Sequence, residues 1–209
     1  MKIVIDDKIP FIRDVFEPYA EVIYSKGSAI TREMVSDADA LIVRTRTKCN
    51  AALLEGSSVK IVASATIGFD HIDTLWCESH GIKWTNAPGC NSGSVKQYIT
   101  SALFYLASIH SFRPDSMKLG VVGVGNVGSK VAAVAQAIGM KVLLNDPPRS
   151  RKEGPEGFVS LEEILSECDI VTIHVPYSRE GADRTHHLID GSTLYKMKKG
   201  SYLINSSRG

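Results

Sequence analysis

Short aliphatic and β-branched runs alternate with amphipathic stretches along the whole chain. The apolar runs predict strands over residues 2–5, 21–24, 40–44, 60–65 and 82–86, and a second series over 118–122, 141–145, 170–175 and 201–205. Between the two series, Val95, Ile99, Ala102, Leu103, Leu106 and Ile109 recur at three- and four-residue spacing. That period predicts one long helix over 92–110. Strands that alternate with helices pair in parallel, because only a crossover connection brings the next strand back in the same direction. The expected class is therefore α/β, with two parallel-sheet units at 1–92 and 116–209. A connecting helix and linker at 93–115 join them, and Pro114 sits in the polar break that ends the helix. The units echo each other, since Ser36-Asp37-Ala38-Asp39-Ala40-Leu41-Ile42-Val43 resembles Ser166-Glu167-Cys168-Asp169-Ile170-Val171-Thr172-Ile173. In both, acids close a helix and feed a strand. Residues 147–157, with Pro147, Pro148, Pro155, Gly154 and Gly157, read as a loop.

Charge narrows the function classes. Lys and Arg total 24 against 23 Asp and Glu, a net charge of +1 in 209 residues. Such a chain offers no broad basic field for nucleic acid or an anionic membrane. Runs such as 40–43 fall far short of the roughly 20 apolar residues of a membrane span. The opening Met1-Lys2-Ile3-Val4-Ile5-Asp6-Asp7 reads as a strand rather than a signal peptide, so a cytoplasmic location is expected. Cys49, Cys77, Cys90 and Cys168 form no CxxC pair and are expected to be reduced structural thiols. The histidines contain no HExxH, and adjacent His186 and His187 would point apart on regular structure, so no metal site is expected.

The sharpest chemical signal is Leu119-Gly120-Val121-Val122-Gly123-Val124-Gly125-Asn126-Val127-Gly128, a buried-type strand that runs into GxGxxG. A helix pattern follows, and Asp146 ends the next strand 18 residues past Gly128. Strand, glycines, helix, strand and acid in that order make a dinucleotide-binding fingerprint. Gly123 would permit the tight turn, Gly125 would admit a pyrophosphate, and Gly128 would let the helix pack close to the sheet. The Asn126 and Val127 amides at the helix start would face the anion. Asp146 would accept a ribose hydroxyl and repel a 2′-phosphate, which favours NAD, although Arg149 and Arg151 lie nearby. His174 precedes Val175-Pro176 at the end of a strand, where contact with the nicotinamide half of a cofactor is expected ahead of proton chemistry. Finally, Leu203-Ile204-Asn205-Ser206-Ser207-Arg208-Gly209 delivers Arg208 to a strand edge. There a guanidinium would grip a carboxylate or lie solvated, and spacing leaves both readings open.

Taken together, these motifs resemble the D-isomer-specific 2-hydroxyacid dehydrogenases. The first half is similar to that family's other domain, with Ala65-Thr66-Ile67-Gly68-Phe69-Asp70-His71-Ile72-Asp73 as the substrate loop. Asn145-Asp146-Pro147-Pro148-Arg149, Ala87-Pro88-Gly89-Cys90-Asn91 and the opening strand look more specifically like a branch that acts on a small phosphorylated hydroxy acid. The resemblance implies a flavodoxin-like substrate domain and a C-terminally incomplete Rossmann NAD-binding domain, and a homodimer for the full-length protein. It implies Arg208 as the catalytic arginine, and Thr45 and Thr66 as substrate positions. Asn126, Val127, Asp146, Val175, Ser206 and Ser207 match cofactor positions, with His174 and Pro176 beside them. Arg44, Arg46 and Lys48 crowd around Thr45 and would either charge a phosphate subsite or form a solvated basic loop. The family's acid–base pair, a histidine and a glutamate, follows the INSSRG strand. The 209 residues are therefore expected to be the N-terminal part of a dehydrogenase and inactive alone. Two rivals stay open: a phosphoglycerate or other 2-hydroxyacid dehydrogenase, and an NAD-sensing binding protein that controls a partner.

Overall fold

The computed structural model describes residues 1–207, so Arg208 lies outside the described residues. The chain divides into two compact units, Met1–Cys90 and Asn91–Gly209. In the first, β1 (Lys2–Asp6), β2 (Glu21–Ser25), α1 (Arg32–Val35), β3 (Ala40–Val43), α2 (Ala51–Leu54), β4 (Ile61–Ser64), α3 (Thr74–Ser79) and β5 (Lys83–Thr85) follow in order. The strands form a parallel sheet in the order β2-β1-β3-β4-β5. Ile3, Val4 and Ile5 are all buried, as in a strand covered on both faces. Val4, Leu41, Val43 and Val62 pack with Val35, Leu54 and Cys77 from the helices.

The second unit opens with α4 (Ser92–His110), whose Ile99 and Leu103 enter the core around the next sheet. It continues through β6 (Lys118–Val122), α5 (Gly128–Ala137), β7 (Lys141–Asn145), α6 (Pro147–Glu153), α7 (Leu161–Glu167), β8 (Ile170–Ile173), α8 (Gly191–Leu194) and β9 (Tyr202–Asn205). Its parallel order is β7-β6-β8-β9. The acids of the sequence echo do equivalent work in the two sheets. Asp39 accepts the Lys2 amide at 2.9 Å and Asp169 accepts the Lys118 amide at 2.8 Å, so each pins the start of the first strand of its sheet, an inner strand in both.

Two expectations are corrected. Most of the expected loop at 147–157 is helix α6, because Asp146 caps it by accepting the Arg149 amide at 3.0 Å and the prolines stand where helix amides have no partner anyway. Gly154, at φ 103°, ends it. The His186 and His187 rings do not point apart. They stack with centroids 3.7 Å apart in irregular chain, where His187 takes φ 55°.

Candidate functional site

The glycine loop is built by its neighbours. Gly123 has φ 87°, and a Cβ there would lie 2.8 Å from the His174 carbonyl carbon. A Cβ on Gly128 would fall 1.9 Å from the Gly123 carbonyl oxygen, so the helix start and the turn touch through bare backbone. A Cβ on Gly125 would meet nothing within 4 Å, which leaves open space beside the loop. The Gly123 amide donates to Asn145 O at 2.8 Å and the Val124 amide to Asp146 Oδ2 at 2.8 Å. Among the described residues the Gly125, Asn126 and Val127 amides have no acceptor. Unpartnered amides at the start of α5 form a ready anion site, strengthened by the positive end of the helix dipole.

Asp146 stands half-buried at the end of β7. Its oxygens each accept one backbone amide, from Val124 and Arg149, and lone pairs remain for a hydroxyl donor. Arg149, which could have held a 2′-phosphate, is committed elsewhere. Its Nη1 donates to Val124 O at 2.7 Å while Nε and Nη2 grip Glu153. Arg151 is paired with Asp183. The loop and its acid thus fit a dinucleotide without a 2′-phosphate.

At the ends of β8 and β9, His174 joins the two strands. Its Nε2 lies 3.0 Å from Thr172 Oγ1 and its Nδ1 lies 3.3 Å from Ser206 Oγ. Burial pushes the imidazole pKa down from 6.5 to about 4, because the cation would lose its water. Val175 is half-buried beside Gly123, Pro176 is exposed, and Ser207 is held by Asn205 Oδ1 at 2.9 Å.

In the first unit, Arg44, Thr45, Arg46 and Lys48 are exposed on the loop after β3. Arg44 Nη1 donates to Lys8 O at 3.0 Å, whereas Arg46 and Lys48 line an open groove of ≈ 410 Å³ with Gly27, Ser28 and Thr31. Thr47, which spacing did not single out, is 3% exposed and fixes the groove floor through a 2.9 Å bond to Gly27 O. Thr66 follows β4. Its carbonyl accepts the Ala87 amide and the Ile67 carbonyl accepts Asn86 Nδ2, so both oxygens are turned into protein. The Thr66, Ile67 and Gly68 amides have no acceptor among the described residues. Ser64 and His71 complete this corner; His71 lies in the expected substrate loop, but Ser64 and its pairing with His71 were missed, since a hydroxyl and an imidazole seven residues apart give no periodic signal. Among the described residues, no group of three or more His, Cys, Asp or Glu is placed to hold a metal ion.

Residues 99–209 match the family model of the D-isomer specific 2-hydroxyacid dehydrogenase, NAD binding domain. The chain belongs to this family. Its second unit is accordingly the NAD-binding domain of a D-isomer-specific 2-hydroxyacid dehydrogenase, which accounts for the glycine loop and Asp146 together. Over 210 aligned residues the chain is 58% identical to the erythronate-4-phosphate dehydrogenase of Bacteroides thetaiotaomicron and 55% to that of Bacteroides fragilis. All of this chain is covered, but only 60% of either relative, so it spans under two thirds of their length. Among solved structures, D-lactate dehydrogenase from Aquifex aeolicus, complexed with NAD and lactic acid, matches at TM-score 0.81 and 29% identity. That match covers 100% of this chain and 69% of the other.

Proposed function

We propose that this protein is an NAD-dependent oxidoreductase that converts 4-phospho-D-erythronate to (R)-3-hydroxy-2-oxo-4-phosphobutanoate, a step of vitamin B6 biosynthesis. The observation that carries the reading is 58% identity to an erythronate-4-phosphate dehydrogenase across 100% of the chain, on a nucleotide loop whose amides and acid fit the cofactor. Bound NAD would supply the hydride acceptor.

The chain's own residues divide the remaining work. The Gly125, Asn126 and Val127 amides hold the pyrophosphate, and Asp146 accepts the ribose hydroxyl. His174, Val175, Pro176, Ser206 and Ser207 border the cofactor at the strand ends. The Thr66, Ile67 and Gly68 amides take the substrate carboxylate, and Arg208 orients carboxylate and carbonyl. Thr45 lies beside the phosphate, whose charge is met by Arg46 and Lys48 at the open groove, with Arg44 directed to Lys8. Oxidation releases a hydride from C2 and a proton from its hydroxyl, and the proton needs a base. His174 is not that base, because both of its ring nitrogens are engaged and burial keeps it neutral. The resemblance assigns the task to the family's histidine and glutamate.

A substrate domain at 1–92, a connecting segment at 93–115, a cytoplasmic location and a homodimer belong to the same reading. Tyr98, Tyr105 and Ile109, which helical spacing puts on one side of α4, are exposed and would meet the second copy. No helix among the described residues is long and apolar enough to cross a membrane. The test is NADH formation by the purified full-length enzyme with 4-phospho-D-erythronate, 3-phosphoglycerate and D-lactate in parallel. Preference for the first is expected. Preference for either of the others refutes the substrate, and NAD-dependent partner capture without turnover refutes the enzyme.

A further inference from the structure

We infer that His71 and Ser64 are positioning residues for the carboxylate-binding loop, acting through a one-way hydrogen-bond relay that passes through Thr66 and ends on the Gly68 carbonyl. The inference rests on the reading of that loop given above. Its direction follows from counting protons. Thr66 Oγ1 lies 3.0 Å from Gly68 O, which can only accept, so the single hydroxyl proton of Thr66 is committed there. Ser64 Oγ, 2.7 Å from Thr66 Oγ1, must then donate to it. With the Ser64 proton also in use, His71 Nε2 at 3.1 Å is left as the donor to Ser64 Oγ. The relay therefore runs from His71 Nε2–H to Ser64, to Thr66, to Gly68 O, and it fixes the histidine as the Nε2–H tautomer.

The relay is buried and anchored at its far end. His71 is 8% exposed and Ser64 3%. The His71 carbonyl accepts the Cys49 amide at 2.8 Å, and the Asp73 amide returns to Cys49 O at 2.8 Å, so the ring stands on pinned backbone. At its near end the relay grips the Gly68 carbonyl, the Ala87 amide holds Thr66 O, and Asn86 holds Ile67 O. With every carbonyl of the turn tied back, the Thr66, Ile67 and Gly68 amides remain for an anion. One consequence separates this from direct binding. The Thr66 hydroxyl has no proton to offer a carboxylate, so it shapes the loop and the substrate meets the backbone.

The experiment is a double-mutant cycle in the full-length enzyme. Ser64→Ala and Thr66→Val are each expected to raise KM for 4-phospho-D-erythronate about five- to tenfold, the size of one buried hydrogen bond, with the Kd for NAD unchanged. The double variant is expected to be no worse than the worse single, because both break one relay. Thr66→Ser keeps the hydroxyl and is expected to restore KM. Additive losses, an unmoved KM in Ser64→Ala, or failure of Thr66→Ser to restore KM would each overturn the inference. Nitrogen-15 NMR of the His71 ring supplies a readout independent of substrate, with the Nε2–H tautomer expected and Nδ1–H overturning the relay. If no hydroxy acid were turned over, the proposed function would fail while the tautomer still reported on the relay.

Discussion

Gly125 and Gly128 share a motif but answer to different constraints. At Gly128 an added methyl would stand 1.9 Å from the Gly123 carbonyl oxygen, whereas at Gly125 it would enter open space. Gly128→Ala is therefore expected to force the start of α5 off the turn and destabilise the protein by about 1–3 kcal/mol. Gly125→Ala loses no packing, since Gly125 is not among the positive-φ glycines. Its stability should hold or rise by about 0.4–1 kcal/mol through a less flexible unfolded chain. Its cost falls on the ligand, because the methyl occupies the space where a pyrophosphate approaches the free amides. The Kd for NAD is expected to rise about tenfold or more, equivalent to about 1.4 kcal/mol. Urea unfolding and fluorescence titration with NADH separate the two effects. Equal destabilisation by both substitutions would contradict the assignment of Gly125 to the ligand.

Between elements, His174 is the polar link at the open end of β8 and β9, and its burial makes that link pH-sensitive. The imidazole pKa is about 4 in the folded chain against 6.5 when solvated, so the unfolded state binds the extra proton first as pH falls. The stability this group contributes is fully present above pH 6.5 and is lost progressively as pH drops toward 4. His174→Asn is expected to flatten the acid limb in that window, which urea midpoints at pH 4, 5, 6 and 7 would show for both proteins. An unchanged slope would mean that the ring reaches water. This element pair also shows what sequence patterning can reveal. The nine strands of the described residues were legible because apolar and β-branched residues dominate them, as in Ile170–Ile173, where all four residues including Thr172 are buried; their ends were missed by a residue or two, too long at Arg44 and His174 and one short at Asp6 and Ser25. Helix α6 was not legible, because Pro147, Pro148 and Gly154 are turn residues until Asp146 is known to be a cap. The glycine loop could be read since each glycine has a local cause. The His71 relay could not, because it depends on strand β4 and a later turn meeting in space.

At the scale of the whole molecule, the two units carry different ligand chemistry under a net charge of only +1. The first gathers free amides at Thr66–Gly68 and exposed cations at Arg46 and Lys48; the second has free amides at Gly125–Val127 and the acceptor Asp146. A ligand stabilises only the cooperative region whose folded state it binds. At 100 times its Kd, NAD should add about 2.7 kcal/mol to the opening free energy of that region. Hydrogen exchange of the 209-residue chain with saturating NAD is therefore expected to slow at the amides of 123–128, 146 and 174–176 and through the β6–β8 core. The Thr66–Gly68 amides and β1–β5 should exchange at their original rates. Uniform slowing by NAD across both units would show that they open as one cooperative body despite their separate cores. Slowing confined to the first unit would remove the dinucleotide from the glycine loop, which lies in the second.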